Sequence, residues 1–228
     1  MNGERFNVAI DGPAGAGKST VARLVAQKLR FIYVDTGAMY RAITWEALKA
    51  KIAADDARKI AELAKSLEIR LHPTEHSQQV WVNGVDVTAN LRSAAVNERV
   101  SQIAQIPAVR ELLTAMQKQM ASGQGVVMDG RDIGTHVLPD AKVKIFLTAS
   151  VEERAMRRYK ELVDSGQVVD FAQLKRELTA RDQMDEGRAV SPLTKAPDAV
   201  YVDSTGMSIH EVVEYILKLC HAAKPTSK

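Results

Sequence analysis

Short apolar runs rich in β-branched residues recur along the chain, separated by stretches with helical spacing. Residues 6–11 carry Val8, Ala9 and Ile10, and the pattern returns at residues 31–35, 126–129, 143–147 and 199–203. Runs of this length without polar alternation suit strands buried on both faces of a parallel sheet. The first run is broken by a Gly/Pro-rich turn, after which Val21, Leu24, Val25 and Leu29 share one face of a helix predicted over residues 20–30. Ser150 with Glu153, and Ser208 with Glu211, have the spacing of capping boxes and predict helix starts just after two of the strands.

Residues 69–87 break this rhythm. Ile69-Arg70-Leu71, Val80-Trp81-Val82 and Val85-Asp86-Val87 read as short strands, and Asn83-Gly84 between the last two predicts a type I′ hairpin. Helical patterning resumes over residues 93–122 and is interrupted at Pro107, a residue suited to the first turn of a new helix. The polar end, residues 223–228, contains Pro225 and is expected to fray.

Composition narrows the picture only a little. With 228 residues, 46% of them apolar, the chain can bury a large core, so neither metals nor disulfides are needed to hold it together. The 31 Lys plus Arg against 28 Asp plus Glu leave a formal charge of +3, too small to announce a nucleic-acid or membrane-surface protein. Cys220 stands alone, which rules out an internal disulfide framework and suggests a reducing compartment. No signal region opens the chain, and nowhere do about 18 apolar residues run together. A cytoplasmic location is the expectation.

Candidate chemistry begins at Gly12-Pro13-Ala14-Gly15-Ala16-Gly17-Lys18-Ser19, followed by Thr20, a phosphate-loop pattern after a strand and at a helix start. Glycines let the backbone wrap its N–H groups around phosphates, and the helix dipole adds positive potential there. Lys18 can reach the β- and γ-phosphates, and Ser19 offers a hydroxyl to Mg²⁺. Asp129 ends a strand where an acid could hold the metal, directly or through water, or could serve as a turn former before Gly130. Arg41, Arg110, Arg131, Arg154, Arg157, Arg158, Arg181 and Arg188 lie beside strand ends or on helices that could face the loop. Guanidinium forks of this kind clamp phosphates and neutralise a transferring phosphoryl group. For Arg157 and Arg158 a solvated helix face is the competing reading. Arg131 sits inside Asp129-Gly130-Arg131-Asp132-Ile133-Gly134 at a strand's C-terminal end, where open α/β sheets bind ligands. His72, His76, His136, His210 and His221 form no ligand pattern, and the aromatic residues are too scattered for a base-stacking platform. An Asn-Lys-x-Asp guanine signature is missing, which disfavours a GTPase switch.

Four spaced blocks together resemble the bacterial cytidylate kinases: Gly12 through Thr20; Asp35-Thr36-Gly37-Ala38-Met39-Tyr40-Arg41; Asp129 through Thr135; and Arg181-Asp182-Gln183-Met184-Asp185-Glu186-Gly187-Arg188. The resemblance spans nearly the whole chain. It implies an α/β fold, a phosphate-loop NTPase core with a five-stranded parallel sheet flanked by helices, an enlarged monophosphate-binding insert with a small antiparallel sheet, and a short lid. The core would comprise residues 1–35, 122–150 and 195–224, the monophosphate region 36–121 with its strand-rich insert at about 68–90, and the lid with flanking helices 151–190. It further implies phosphorylation of CMP and dCMP by ATP with Mg²⁺, a monomer, and no nucleic-acid or membrane partner. Arg41, Arg131 and Arg188 match residues for the acceptor phosphate, with Thr36 and Tyr40 in the same substrate-binding block. Ser101, Arg110 and Asp132 match cytosine contacts, and Arg181 and Asp185 match sugar contacts. Arg154, Arg157 and Arg158 fall at the lid, where relatives approach the donor phosphates, and Ser19 and Asp129 would serve the metal. Ser19 stands where some relatives carry glycine and Thr36 where some carry serine, changes that keep or add a hydroxyl. Asp132 suits cytosine chemically, because a carboxylate accepts from the N4 amino group and meets an acceptor oxygen on uracil. Kinases for UMP or other small acceptors remain the nearest alternative.

Overall fold

The computed structural model describes residues 5–74 and 77–223; the expected fraying of residues 224–228, and His76, lie outside them. The five apolar runs form strands β1 (Asn7–Asp11), β2 (Ile32–Asp35), β6 (Val126–Gly130), β7 (Val143–Thr148) and β8 (Val200–Asp203). They build one parallel sheet in the order β2-β6-β1-β7-β8. Strand β1 is central, so Val8, Ala9 and Ile10 are fully buried from both faces, which explains the run's lack of polar alternation. Helix α1 (Lys18–Leu29) returns the chain across the sheet, and helix α8 (Ile209–Ala222) packs beside it. Val21, Val25, Val212, Val213 and Ile216 join Val8, Ile10 and Ile145 in one apolar cluster. Each such side chain, fully buried, stabilises the fold by roughly 1.5–3 kcal/mol.

A second cluster is confined to the chain between Ala38 and Leu113. It is built by α2 (Thr36–Lys49), α3 (Ala57–Ser66), α4 (Ala94–Ile103) and α5 (Pro107–Ala121), together with β3 (Ile69–Pro73) and β4 (Gln78–Val82). Strand β4 pairs antiparallel with β3 and with β5 (Val85–Asp86), and positive φ at Asn83 (49°) and Gly84 (78°) supplies the expected tight hairpin. Pro107 opens α5 as its position in the sequence suggested. One side chain ties this small sheet to the large one: Gln78 donates Nε2–H to the Tyr33 carbonyl (2.6 Å) and accepts from Asp35 N–H (3.1 Å), imitating a neighbouring strand at the β2 edge.

Two further helices, α6 (Val151–Asp164) and α7 (Phe171–Glu186), pack against each other and against the phosphate loop. Their contact with that loop is apolar as well as polar, through Ala14, Ala155, Leu178 and Phe171. The capping box at Ser208 and Glu211 forms in full. That at Ser150 forms only in half. Its hydroxyl accepts from Glu153 N–H, but the Ser150 amide donates to Thr205 Oγ1 (2.9 Å) and the Glu153 carboxylate turns to Arg157 instead.

Candidate active site

The phosphate loop crosses from β1 to α1 with its backbone pressed against β7. Gly12 has φ 147°, and a Cβ there would lie 1.9 Å from the Leu147 carbonyl oxygen, so no other residue fits. Gly17 caps α1 in the left-handed region without any side-chain cap, which leaves the leading amides of the helix open to an anion. Lys18 is buried and its Nζ donates to the Pro13 carbonyl (2.7 Å). Burial and the nearby Arg131 push this amine well below the ordinary lysine range, a strain that a phosphate would relieve. Ala16 is buried in the loop, and Thr20 lies in the first turn of α1.

The three arginines of α6 separate. Arg154 holds the loop from behind, donating to the Ala14 carbonyl (2.8 Å) and pairing with Asp182 (2.7 Å), whose Oδ1 accepts the Ala14 N–H. Arg157 reaches the Ser204 carbonyl (2.8 Å) and hydroxyl, and its Nη1 would come 3.9 Å from a Cβ on Gly17, over the loop. Arg158 does not join them and pairs with Glu161 (2.7 Å) one helical turn away.

Asp129 is the penultimate residue of β6, the strand beside β1. It accepts from Ser19 Oγ (2.9 Å) and from the Tyr33 hydroxyl (2.9 Å), while its own carbonyl accepts from Thr36 Oγ1 (2.7 Å). Burial, with Asp35 nearby, pushes the Asp129 carboxyl up to about 7. An oxygen pair that is short of positive charge fits Mg²⁺, which takes few protein ligands and completes its shell with water and phosphate. Among the described residues no group of three or more His, Cys, Asp or Glu could hold a metal, so this site would be of that sparse kind. His72 lies on β3 edge-on to Trp81, and His136 contacts Thr135. Trp45 packs against the second cluster.

Facing the loop is a wall of guanidinium groups. Arg131 donates Nε–H to Asp185 (2.8 Å), and Arg110 donates to Asp132 (2.6 Å) and to the Ala104 carbonyl while lying over the Tyr40 ring. Arg188 reaches the Asp185 carbonyl (3.2 Å). Burial opposes ionisation of Asp185, yet Arg131, Arg181 and Arg188 hold its carboxyl below the usual range. Among the described residues, Arg41, Arg110 and Arg181 each keep a buried Nε, and Arg188 a buried Nη2, with no hydrogen-bond partner. Burial and the neighbouring Arg131 and Arg41 pull Arg181 down to about 9. Ser101 lies buried on α4.

A base disfavoured in its charged form destabilises the fold at every pH below its folded pKa, so at pH 7 Arg181 costs stability that an anion would restore. Arg181→Leu is expected to raise the melting temperature of the free protein by a few degrees, about 1 kcal/mol for this size. It should also shrink the upward shift that nucleotides induce. Thermal unfolding with and without nucleotide reads both, and a lowered melting temperature of the free variant would show that Asp182 and Asp185 depend on Arg181.

Sequence reasoning did not single out Asp11, Tyr33, Gln78 or Asp182. Asp11 alone carried a local signal, an acid at the last strand position before the glycine-rich loop.

A glycine-cradled helix start and a strand-end acid, set against arginines with unspent N–H groups, define a phosphate-loop kinase. Residues 8–222 match the family model described as Cytidylate kinase. A cytidylate kinase of Shouchella clausii is 55% identical over 94% of this chain and 95% of its own length, and one of Bacillus subtilis is 53% identical over 94% and 96%. A crystal structure of an uncharacterized protein from Eubacterium ventriosum shares the fold at 11% identity, with a TM-score of 0.55 over 96% of this chain and 99% of that one. The chain belongs to the cytidylate kinase family. No helix among the described residues is long and apolar enough to cross a membrane.

Proposed function

We propose that this protein transfers the γ-phosphoryl group of ATP to CMP and dCMP, giving ADP with CDP or dCDP, by direct in-line displacement. The observation that carries the reading is a set of four arginines, Arg41, Arg110, Arg181 and Arg188, each with one buried guanidinium nitrogen that has no hydrogen-bond partner among the described residues. Buried cations of this kind are costly unless anions arrive to pair with them. Backbone amides of residues 15–20 and Lys18 would cradle the donor phosphates, with Arg157 approaching over the loop and Arg158 available once it leaves Glu161. Arg41, Arg131 and Arg188 would clamp the acceptor phosphate, whose second ionisation near pH 6 already leaves it nucleophilic, so no dedicated base is required. Arg181 and Asp185 are assigned to the sugar, and Ser101, Arg110 and Asp132 to cytosine. Thr36 and Tyr40 act from the same wall, Thr36 by fixing the Asp129 backbone and Tyr40 by backing Arg110. Ser19 and Asp129 would hold Mg²⁺, which when bound supplies charge neutralisation between the β- and γ-phosphates.

Residues 36–121 and 151–190 are assigned as the parts that close over the core to exclude water. The protein is proposed to act as a cytoplasmic monomer on small molecules, without nucleic-acid or membrane partners.

An ADP-release assay with ATP, Mg²⁺ and each nucleoside monophosphate in turn tests the reading. CMP and dCMP should support turnover at least about tenfold better in kcat/KM than UMP, since a buried carboxylate facing an acceptor oxygen costs on the order of 1.4 kcal/mol or more. Equal use of UMP would make the protein a broader pyrimidine kinase, and no turnover with either cytidine nucleotide would end the proposal.

A further inference from the structure

Asp11 is the last residue of β1 and the immediate neighbour of the phosphate loop, yet its carboxylate is spent on a different segment. Oδ1 accepts the Ile133 N–H at 2.8 Å and Oδ2 accepts the Gly134 N–H at 2.7 Å. These two amides open the single π-helical turn Ile133–Val137, where no preceding turn supplies acceptors for them. The approach is tight, since a Cβ on Gly134 would sit 3.3 Å from Asp11 Oδ2 and 3.3 Å from the Lys144 side chain.

What this pin orients lies one and two residues upstream. Arg131 and Asp132 are consecutive but diverge, Arg131 to Asp185 on α7 and Asp132 to Arg110 on α5. A segment that must serve two walls at once has its direction set by whatever fixes its end, and that end is held by Asp11. The fold keeps the acid at a cost: burial, opposed by the two amide hydrogen bonds, pushes its carboxyl up to about 6. A neutral residue would be cheaper if filling space were its only task.

We infer that Asp11 is a positioning residue for acceptor recognition: from the end of β1 it pins the turn at Ile133 and Gly134 and so aims Asp132 and Arg131. The inference rests on the function proposed above, because it takes the face lined by Asp132 and Arg131 to be the acceptor side.

Steady-state kinetics of Asp11→Asn against wild type test it. Asn offers one acceptor oxygen where two amides need one each, and turns an N–H donor toward the other. The expected result is a rise of about tenfold in KM for CMP, a narrowed CMP to UMP ratio in kcat/KM, and a KM for ATP within about twofold of wild type. Gly134→Ala, which crowds the same contact from the other side and keeps Asp11, should give the same split and guards against a poorly folded Asp11 variant. Hydrogen exchange of the 133–134 amides in the free protein should quicken in both variants. Equal rises in the two KM values with an unchanged base ratio would overturn the inference and leave Asp11 as support for the phosphate loop, as would unaltered kinetics. Wild type without cytidylate kinase activity would instead defeat the proposed function, while the exchange measurement would still report on the pin.

Discussion

Lys18→Ala is expected to lower kcat by on the order of a hundred- to a thousandfold while the protein stays folded. In the free protein the Lys18 ammonium is parked on the Pro13 carbonyl, inside the loop that wraps the phosphates, with Asp129 and Arg131 close by. Removing it takes away the cation that the proposed function sets beside the donor phosphates. Little stability is lost, because a buried amine held against its ordinary pKa contributes little to folding. Circular dichroism and thermal unfolding check the fold, and a coupled assay at saturating ATP and CMP reads turnover. A folded variant with turnover near wild type would remove Lys18 from the reaction.

Base choice carries the second large effect. Arg110 has only donors to offer, and it binds one oxygen of Asp132 at 2.6 Å, which under the proposed function leaves the other oxygen for the cytosine amino group. In Asp132→Asn the same donor-only partner dictates the amide's orientation, with the oxygen toward Arg110 and the NH₂ toward the base. That group suits uracil O4 and opposes cytosine N4. The expected result is a loss of at least about tenfold in kcat/KM for CMP, on the order of 1.4 kcal/mol, and a narrowed gap between CMP and UMP. Arg110→Met should produce a related loss, and the double variant should fall well short of the two losses combined, because both act through one contact. An unchanged CMP to UMP ratio in Asp132→Asn would refute direct base reading.

Much of the fold was legible because the inner strands β1, β6 and β7 are buried on both faces, so apolar runs and strand limits nearly coincide; the edge strands β2 and β8 keep one face open, with Ile32 and Tyr201 exposed. The Gly-rich loop and the Asn-Gly hairpin were legible because backbone conformation there restricts the residue type. Side-chain partnerships between distant segments were not. Nothing local says that Gln78 completes the edge of β2, that Tyr33 donates to Asp129, or that Arg154 supports the loop from behind. The half-formed box at Ser150 is the same lesson on a small scale. Its spacing was right, but Thr205, brought in by the fold, took the Ser150 amide, and Arg157, one helical turn on, took the Glu153 carboxylate.

The central place of β1 has a consequence for how a growing chain can fold. Its two neighbours are β6 and β7, so Asn7 waits for Val126 and Val8 for Val143 before either pairs. Meanwhile the cluster between Ala38 and Leu113 contains all of its own members and can collapse as soon as it has been synthesised. Loop closure over so long a separation makes the sheet's centre a late event. The glycine-rich turn, synthesised before both strands that flank β1, is then among the last segments to acquire its final shape.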